Sequence, residues 1–274
     1  MDAHGLHENL FDFADFAGFE AKISYLANNL AEIESWKPSS ITLPLSSERD
    51  NFYSLSRDHP ILASYILNMH KRIVRDERDK FFINSDESYA CWNTGLLTRL
   101  KEDIFIVFEK NPTTYSRKYW KFYKFLERSN RFLVNIGENL PEMCDFGKNP
   151  KDLVFNVKAD IVPDLEHILN DHPERYQEGF RSQHERLKRN ALAGAIADAK
   201  ERAKRNFNIA VPQYFSGNIQ LLLPLYLTKD TPDLALVLER SNDIVYRANT
   251  VLPLDWAYNN ARVIKKPDVD WLQP

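Results

Sequence analysis

The residues best suited to chemistry gather where Lys204-Arg205-Asn206 runs into Val211-Pro212-Gln213-Tyr214. A basic helix end turns there through a proline corner. It leads into Ile219-Gln220-Leu221-Leu222-Leu223-Pro224-Leu225, an apolar run of the kind that forms a strand buried on both faces. Polar side chains at the start of a buried strand are well placed to line a cleft. Gln213 can read an adenine edge through two hydrogen bonds, and Tyr214 can stack on a base. The same two residues can equally serve the fold, Tyr214 as core and Gln213 as the partner of a bulge. Just upstream, Arg181 to Arg205 holds eight Lys and Arg residues against Glu185, Asp198 and Glu201. On a helix, Arg186, Arg189, Lys200 and Lys204 fall within roughly 60° of one another, beside a stripe of small residues at Ala191, Ala195, Ala199 and Ala203. Such an edge binds phosphate in a salt-dependent way. The alternative is a solvated helix face whose last cations complement the helix dipole.

Two further corners carry polar groups. Asn93-Thr94-Gly95 ends an apolar segment, and a glycine turn there exposes backbone N–H groups beside the Asn and Thr side chains. It can dock a phosphate or a base edge, or it can simply cap the next element. Tyr258-Asn259-Asn260 and Arg262 sit in the last helical segment. Asn is a weak helix former, so two in succession call for a hydrogen-bonding role. Arg262 can clamp a phosphate or pair with an internal carboxylate.

Enzyme signatures for phosphate loops, dinucleotide folds, zinc proteases and serine hydrolases are missing from the chain. Cys91 and Cys144 lack the spacing of a thiolate zinc site, and His167 and His172 have the wrong spacing for a helical metal pair, so no metal ligand set is expected. No motif names a cofactor. Asp103, Glu109, Asp160 and Glu239 lie on or beside strand-like segments, and a converging pair with a divalent ion would cut phosphodiesters. Net charge of −3 excludes a polycation, so any phosphate contact must be a local patch. The longest apolar runs fall far below the ~20 residues of a membrane span. Met1 to Gly5 has no basic leader, and two cysteines with nothing to mark them as partners suit a reducing cytoplasm.

Positioning these groups falls to the following elements. A helical pattern covers 9–33, with Phe16, Phe19, Ile23, Leu26 and Leu30 on one face, and a second begins at Pro60 with Ile61, Tyr65, Ile66, Met69 and Ile73. Residues 41–57 read as polar and irregular. Tyr89 to Trp92, Ile104 to Phe108 and Tyr119 to Leu126 read as strands, as does the alternating stretch Leu153 to Ala159. A short helix is expected over 164–170, a long one over 184–206, three strands near 219–227, 234–239 and 244–249, and a last helix over 253–263. Alternating strand–helix units are too few for a doubly wound fold.

The spaced motifs Asn93-Thr94-Gly95-Leu96-Leu97-Thr98, Val211-Pro212-Gln213-Tyr214, Leu221-Leu222-Leu223-Pro224-Leu225, Ala257-Tyr258-Asn259-Asn260-Ala261-Arg262 and Asp270-Trp271-Leu272 together resemble one uncharacterised bacterial family. It is a domain-of-unknown-function family also found beside OST-HTH (LOTUS) RNA-binding domains. The resemblance runs from about Phe11 to Leu272, departs at Trp92 where the family has Phe, and carries no enzymatic activity. Its implied link to RNA comes from fusion partners, and this chain has no OST-HTH module of its own.

The expected fold is therefore α+β: a mainly antiparallel mixed sheet with the long basic helix packed on it and two N-terminal helices. A single domain is expected over 1–274, with 1–80 as a helical appendage. The expected role is a cytoplasmic RNA- or nucleotide-binding domain, with contacts at Asn93, Thr94, Arg189, Lys200, Lys204, Gln213, Tyr214 and Arg262. Two alternatives stand beside it. One is a metal-dependent hydrolase or nuclease acting on nucleotides or RNA ends. The other is an interaction protein whose Phe11, Phe13, Phe16 and Phe19 stripe forms a docking patch.

Overall fold

The computed structural model describes residues 6–37, 56–112, 118–137 and 139–273. Most of the polar stretch 41–57, and the N-terminal residues Met1 to Gly5, lie outside them. The protein is α+β, and its described residues form two compact units, one holding those up to Asp145 and the other those from Phe146 onward.

In the first unit the expected helix over 9–33 is broken into pieces. Asn9 caps helix α1 (Leu10–Phe13) by accepting the Phe11 N–H, and strand β1 (Ala14–Asp15) follows. Gly18, at φ +68°, then turns the chain left-handed before helix α2 (Phe19–Tyr25), which widens into a π-helical turn at Leu26–Leu30. Helix α3 (Pro60–Asp76) starts on proline, whose missing N–H is free of cost at that position. Ile61, Tyr65, Ile66, Met69 and Ile73 are all buried, as the 3.6-residue period requires. Strands β2 (Phe82–Ile83), β3 (Tyr89–Leu97), β4 (Asp103–Lys110) and β5 (Trp120–Glu127) complete a five-stranded sheet in the order β1-β5-β4-β3-β2. All its pairings are antiparallel except β1 with β5. Helix α4 (Arg131–Ile136) ends the unit. The N-terminal segment is built into this core: Phe13 meets Phe108 edge-on at 5.1 Å, and Phe16 stacks on Phe122 at 4.2 Å. The Phe13–Phe16–Phe19 stripe is thus interior, not a surface patch.

His70 of α3 is fully buried, with Nε2 2.9 Å from the His7 carbonyl oxygen, so Nε2 carries the proton and donates. Burial pushes its pKa down to about 4, and the hydrogen bond to His7 opposes only part of that fall. The folded pKa lies below the unfolded value, so the unfolded chain binds more protons between the two. The stabilisation is fully present above about pH 6.5 and is lost as pH falls toward 4, a change of about 3 kcal/mol. Unfolding free energies measured in urea at pH 7, 5.5 and 4 should fall accordingly, and less steeply in His70→Gln. Parallel pH slopes for the two proteins would refute the assignment.

The second unit opens differently from expectation. Leu153 to Ala159 is not a strand. Residues Pro150–Leu153 form a 3₁₀ turn, and Asn156 bends the chain with its side chain, donating to the Asp243 carbonyl at 2.7 Å and accepting the Lys158 N–H at 3.0 Å. Such local side-chain bonds compete with a ladder. Phe155 is buried because it stacks on Tyr246 at 5.2 Å, which mimics strand alternation in the sequence. The strand comes next, as β6 (Asp160–Pro163). Short helices α5 (Leu165–Asn170) and α6 (Glu178–Arg181) lead to the long helix α7 (Glu185–Arg205). Strands β7 (Val211–Phe215), β8 (Asn218–Leu225), β9 (Leu234–Asn242) and β10 (Val245–Leu252) form a second five-stranded sheet in the order β6-β10-β9-β8-β7, parallel only between β6 and β10. Leu192, Ala195, Ile196, Ala199 and Ala203 set α7 against Leu221, Leu223, Leu236 and Leu238. Small residues on that face bring the helix close to the strands. Helix α8 (Leu254–Ile264) packs along β7.

Candidate functional site

The Asn93-Thr94-Gly95 corner, in the first unit, is a bulge inside β3 and not the strand end expected. Pairing with β4 jumps from Asn93↔Phe105 to Leu97↔Asp103. The bulge is held from within. Asn93 Oδ1 accepts the Gly95 N–H at 2.9 Å, Thr94 Oγ1 donates to the Ile104 carbonyl at 2.7 Å, and Tyr65 Oη donates to the Thr94 carbonyl at 2.7 Å. Asn93 is 2% exposed and Thr94 is fully buried. These bonds favour the turn-forming role over a ligand-facing one.

The other corners lie in the second unit. Gln213 is 1% exposed, and its amide is engaged at both ends: Nε2 donates to Gln220 Oε1 at 2.9 Å, and Oε1 accepts from Asn260 Nδ2 at 3.2 Å. That chain of amides gives Asn260 its reason to sit in a helix. Asn259, beside it, has its whole amide buried without a hydrogen-bond partner among the described residues, at a cost of about 1–3 kcal/mol per unpaired group. Tyr214 is a core ring, meeting Phe146 edge-on at 5.7 Å, and Arg262 is buried on α8. Gln213, Tyr214, Asn259 and Arg262 are all buried, and Asn260 is half-buried.

Along α7 the charges separate into two classes. Lys200 Nζ lies 2.5 Å from Asp160 Oδ1, and that bond holds the Asp160 carboxyl below its usual range. Lys204 and Arg205 both bond Glu201 at 2.9 Å and lower its pKa likewise, while Arg202 pairs with Asp198 at 2.6 Å and Arg181 with Glu178. Arg186, Lys188 and Arg189 make no ion pair among the described residues. The expected basic face is thus largely neutralised in its C-terminal half and keeps its charge in its first two turns. Three of the four candidate carboxylates are similarly engaged: Asp160 by Lys200, Asp103 3.6 Å from Arg128 and Glu109 3.4 Å from Lys121. Among the described residues, no three His, Cys, Asp or Glu side chains gather as a metal site would require.

Two openings of the second unit are lined by described residues. A pocket of about 350 Å³ lies at the foot of α7, where Phe207, Asn208, Val211, Pro212, Lys265 and Asp268 contribute to its walls. Phe207 is 50% exposed, and Lys265 is an exposed cation with no ion pair among the described residues. A larger cleft of about 720 Å³ is lined by Arg189, Arg247 and Asn249 together with Asp164, Glu166 and His167. Phe207, Lys265 and Arg247 were not singled out by sequence. The only signal for Phe207 was an aromatic just beyond a basic helix end, and Lys265 joins it from 58 residues further along.

No described helix is long and apolar enough to cross a membrane. No curated protein and no solved structure matches the chain. One family model does match, over residues 27–271, close to the extent read from the spaced motifs. The chain belongs to the family described as a domain of unknown function, DUF3825.

Proposed function

We propose that this chain is a cytoplasmic RNA- or nucleotide-binding domain of a bacterial protein, and that the pocket at the foot of α7 is where a nucleotide sits. The observation that carries this reading is the set of groups around that one pocket of about 350 Å³, a size within the ~300–1,000 Å³ of small-ligand sites. Phe207 offers a half-exposed ring on which any base can stack. The Asn208 amide has a donor and an acceptor for a base edge. Lys265 supplies a free cation for phosphate, and Asp268 an acceptor for ribose hydroxyls. Lys200 and Lys204 are poor phosphate ligands by comparison, because a phosphate must first displace Asp160 or Glu201. The association of the resembled family with OST-HTH modules favours RNA among anionic ligands, by analogy alone.

Fluorescence anisotropy with a short labelled single-stranded RNA tests it. Binding should weaken as salt rises. Phe207→Ala should cost about 1–3 kcal/mol, a 5- to 150-fold loss. Lys265→Gln should lower the salt slope by about 0.7. Binding of neither RNA nor mononucleotides at low salt, or wild-type affinity in Phe207→Ala, would sink the reading.

A further inference from the structure

We infer that the Arg189–Arg247 cleft is a second anion site for the same ligand, so that the second unit takes a single-stranded oligoribonucleotide and not a free mononucleotide. The inference rests on the proposed pocket at the foot of α7. Its own support is the distribution of unpaired charge. Five of the eight cations between Arg181 and Arg205 are held by Glu178, Asp160, Asp198 or Glu201. The three that are not, Arg186, Lys188 and Arg189, fall within four consecutive positions. Arg247 stands opposite Glu239 in the β9–β10 register yet makes no ion pair with it.

Arg189 and Arg247 come from different elements, α7 and β10, and both line the cleft of about 720 Å³, with the Asn249 amide beside them. Asp164 and Glu166 are also on its wall. Asp164 Oδ1 already accepts the His167 N–H at 3.0 Å as the cap of α5, and His167 lies 3.7 Å from Asp171. Two planar guanidinium groups with no internal carboxylate to satisfy are the groups best shaped to grip phosphate oxygens.

The spacing then sets the ligand. Arg189 and Arg205 stand sixteen residues apart on one continuous helix, about 24 Å at 1.5 Å per residue. Phe207 follows two residues later. A mononucleotide cannot reach from one opening to the other. A strand that does so needs about seven stacked nucleotides, fewer if it is extended, within the ~4–16 typical of single-strand binding folds.

The test uses the full chain with fluorescein-labelled oligouridylates of three and ten nucleotides. Wild type should bind the ten-mer at least 30-fold more tightly. The doubly substituted Arg189→Gln/Arg247→Gln protein should bind the ten-mer no better than the three-mer, leave three-mer affinity unchanged, and lose about 1.4 from the ten-mer salt slope. Phe207→Ala should weaken both lengths. Both arginines are exposed, and an unchanged thermal unfolding curve will show that the double variant is folded. Equal affinity of wild type for the two lengths, or a ten-mer indifferent to the arginine substitutions, overturns this inference and leaves the pocket intact. Failure of wild type to bind either length overturns both.

Discussion

Replacing Arg72 by methionine is expected to destabilise the first unit by about 3–5 kcal/mol, the cost of removing one partner of a buried ion pair. Glu77 is the other partner. Arg72 is 7% exposed and Glu77 1%. Arg72 Nε and Nη2 both donate to Glu77 Oε1, at 3.0 and 2.7 Å. The other carboxylate oxygen accepts the Asp145 N–H at 3.0 Å, and Arg72 Nη2 also donates to the Asp145 carbonyl at 3.1 Å. The pair therefore pins the end of α3 to a residue 68 positions away. Methionine keeps the length and apolar bulk of the arginine stem, so the loss reports the charge and its hydrogen bonds more than a cavity. Urea unfolding measures it, and the melting temperature should drop by about 10 °C or more. Arg72→Met/Glu77→Leu should recover much of the loss, because it removes the buried carboxylate along with its arginine, though it does not restore the bonds to Asp145. If Arg72→Met costs under about 1 kcal/mol, the pair behaves like a surface ion pair and the argument from burial fails.

That pair also marks where reading the sequence stops. Periodicity located α3, α7 and α8 and strands β3, β4, β5, β8, β9 and β10, because each long element must show one apolar face or one apolar run; it missed β1, β2, β6 and β7. It failed where a local side-chain bond or a left-handed glycine overrode the pattern. Asn156 bent Leu153 to Ala159 out of a strand, and Gly18 broke the first helix. One sheet was expected where there are two, since strand patterns do not say which partners they choose. The candidate site was legible only in part. Lys204 with Glu201 is a local pair that helical spacing shows, whereas Lys200 is neutralised by Asp160, 40 positions away. Gln213 and Tyr214 are polar by type yet buried, because Asn260 and Gln220 satisfy the first and Phe146 packs on the second. Exposure, which makes Phe207 and Arg247 candidates, is a property of tertiary packing and leaves no period in the chain.

Gly95→Ala is expected to cost about 2–4 kcal/mol, and its cause can be separated into two parts. Gly95 sits at φ +71°, where an L-residue loses about 1–2 kcal/mol through its Cβ. The added carbon would also lie 2.8 Å from Tyr65 Oη, too close for a non-bonded contact. Tyr65 cannot simply turn aside. Its ring is 4% exposed and its hydroxyl donates to the Thr94 carbonyl at 2.7 Å, so moving it breaks a buried bond worth about 1–3 kcal/mol. Tyr65→Phe removes the hydroxyl, and with it both the bond and the overlap. The two substitutions should therefore be sub-additive: Gly95→Ala made in the Tyr65→Phe background should cost at least about 1 kcal/mol less than in wild type. Strict additivity in urea unfolding would mean that backbone strain alone acts at Gly95. The same variants decide what the Asn93-Thr94 corner is for. A bulge that only shapes β3 leaves RNA affinity unchanged at temperatures where Gly95→Ala remains folded. A selective loss of affinity there would restore the corner as a ligand contact and displace the pocket at the foot of α7 from its central place.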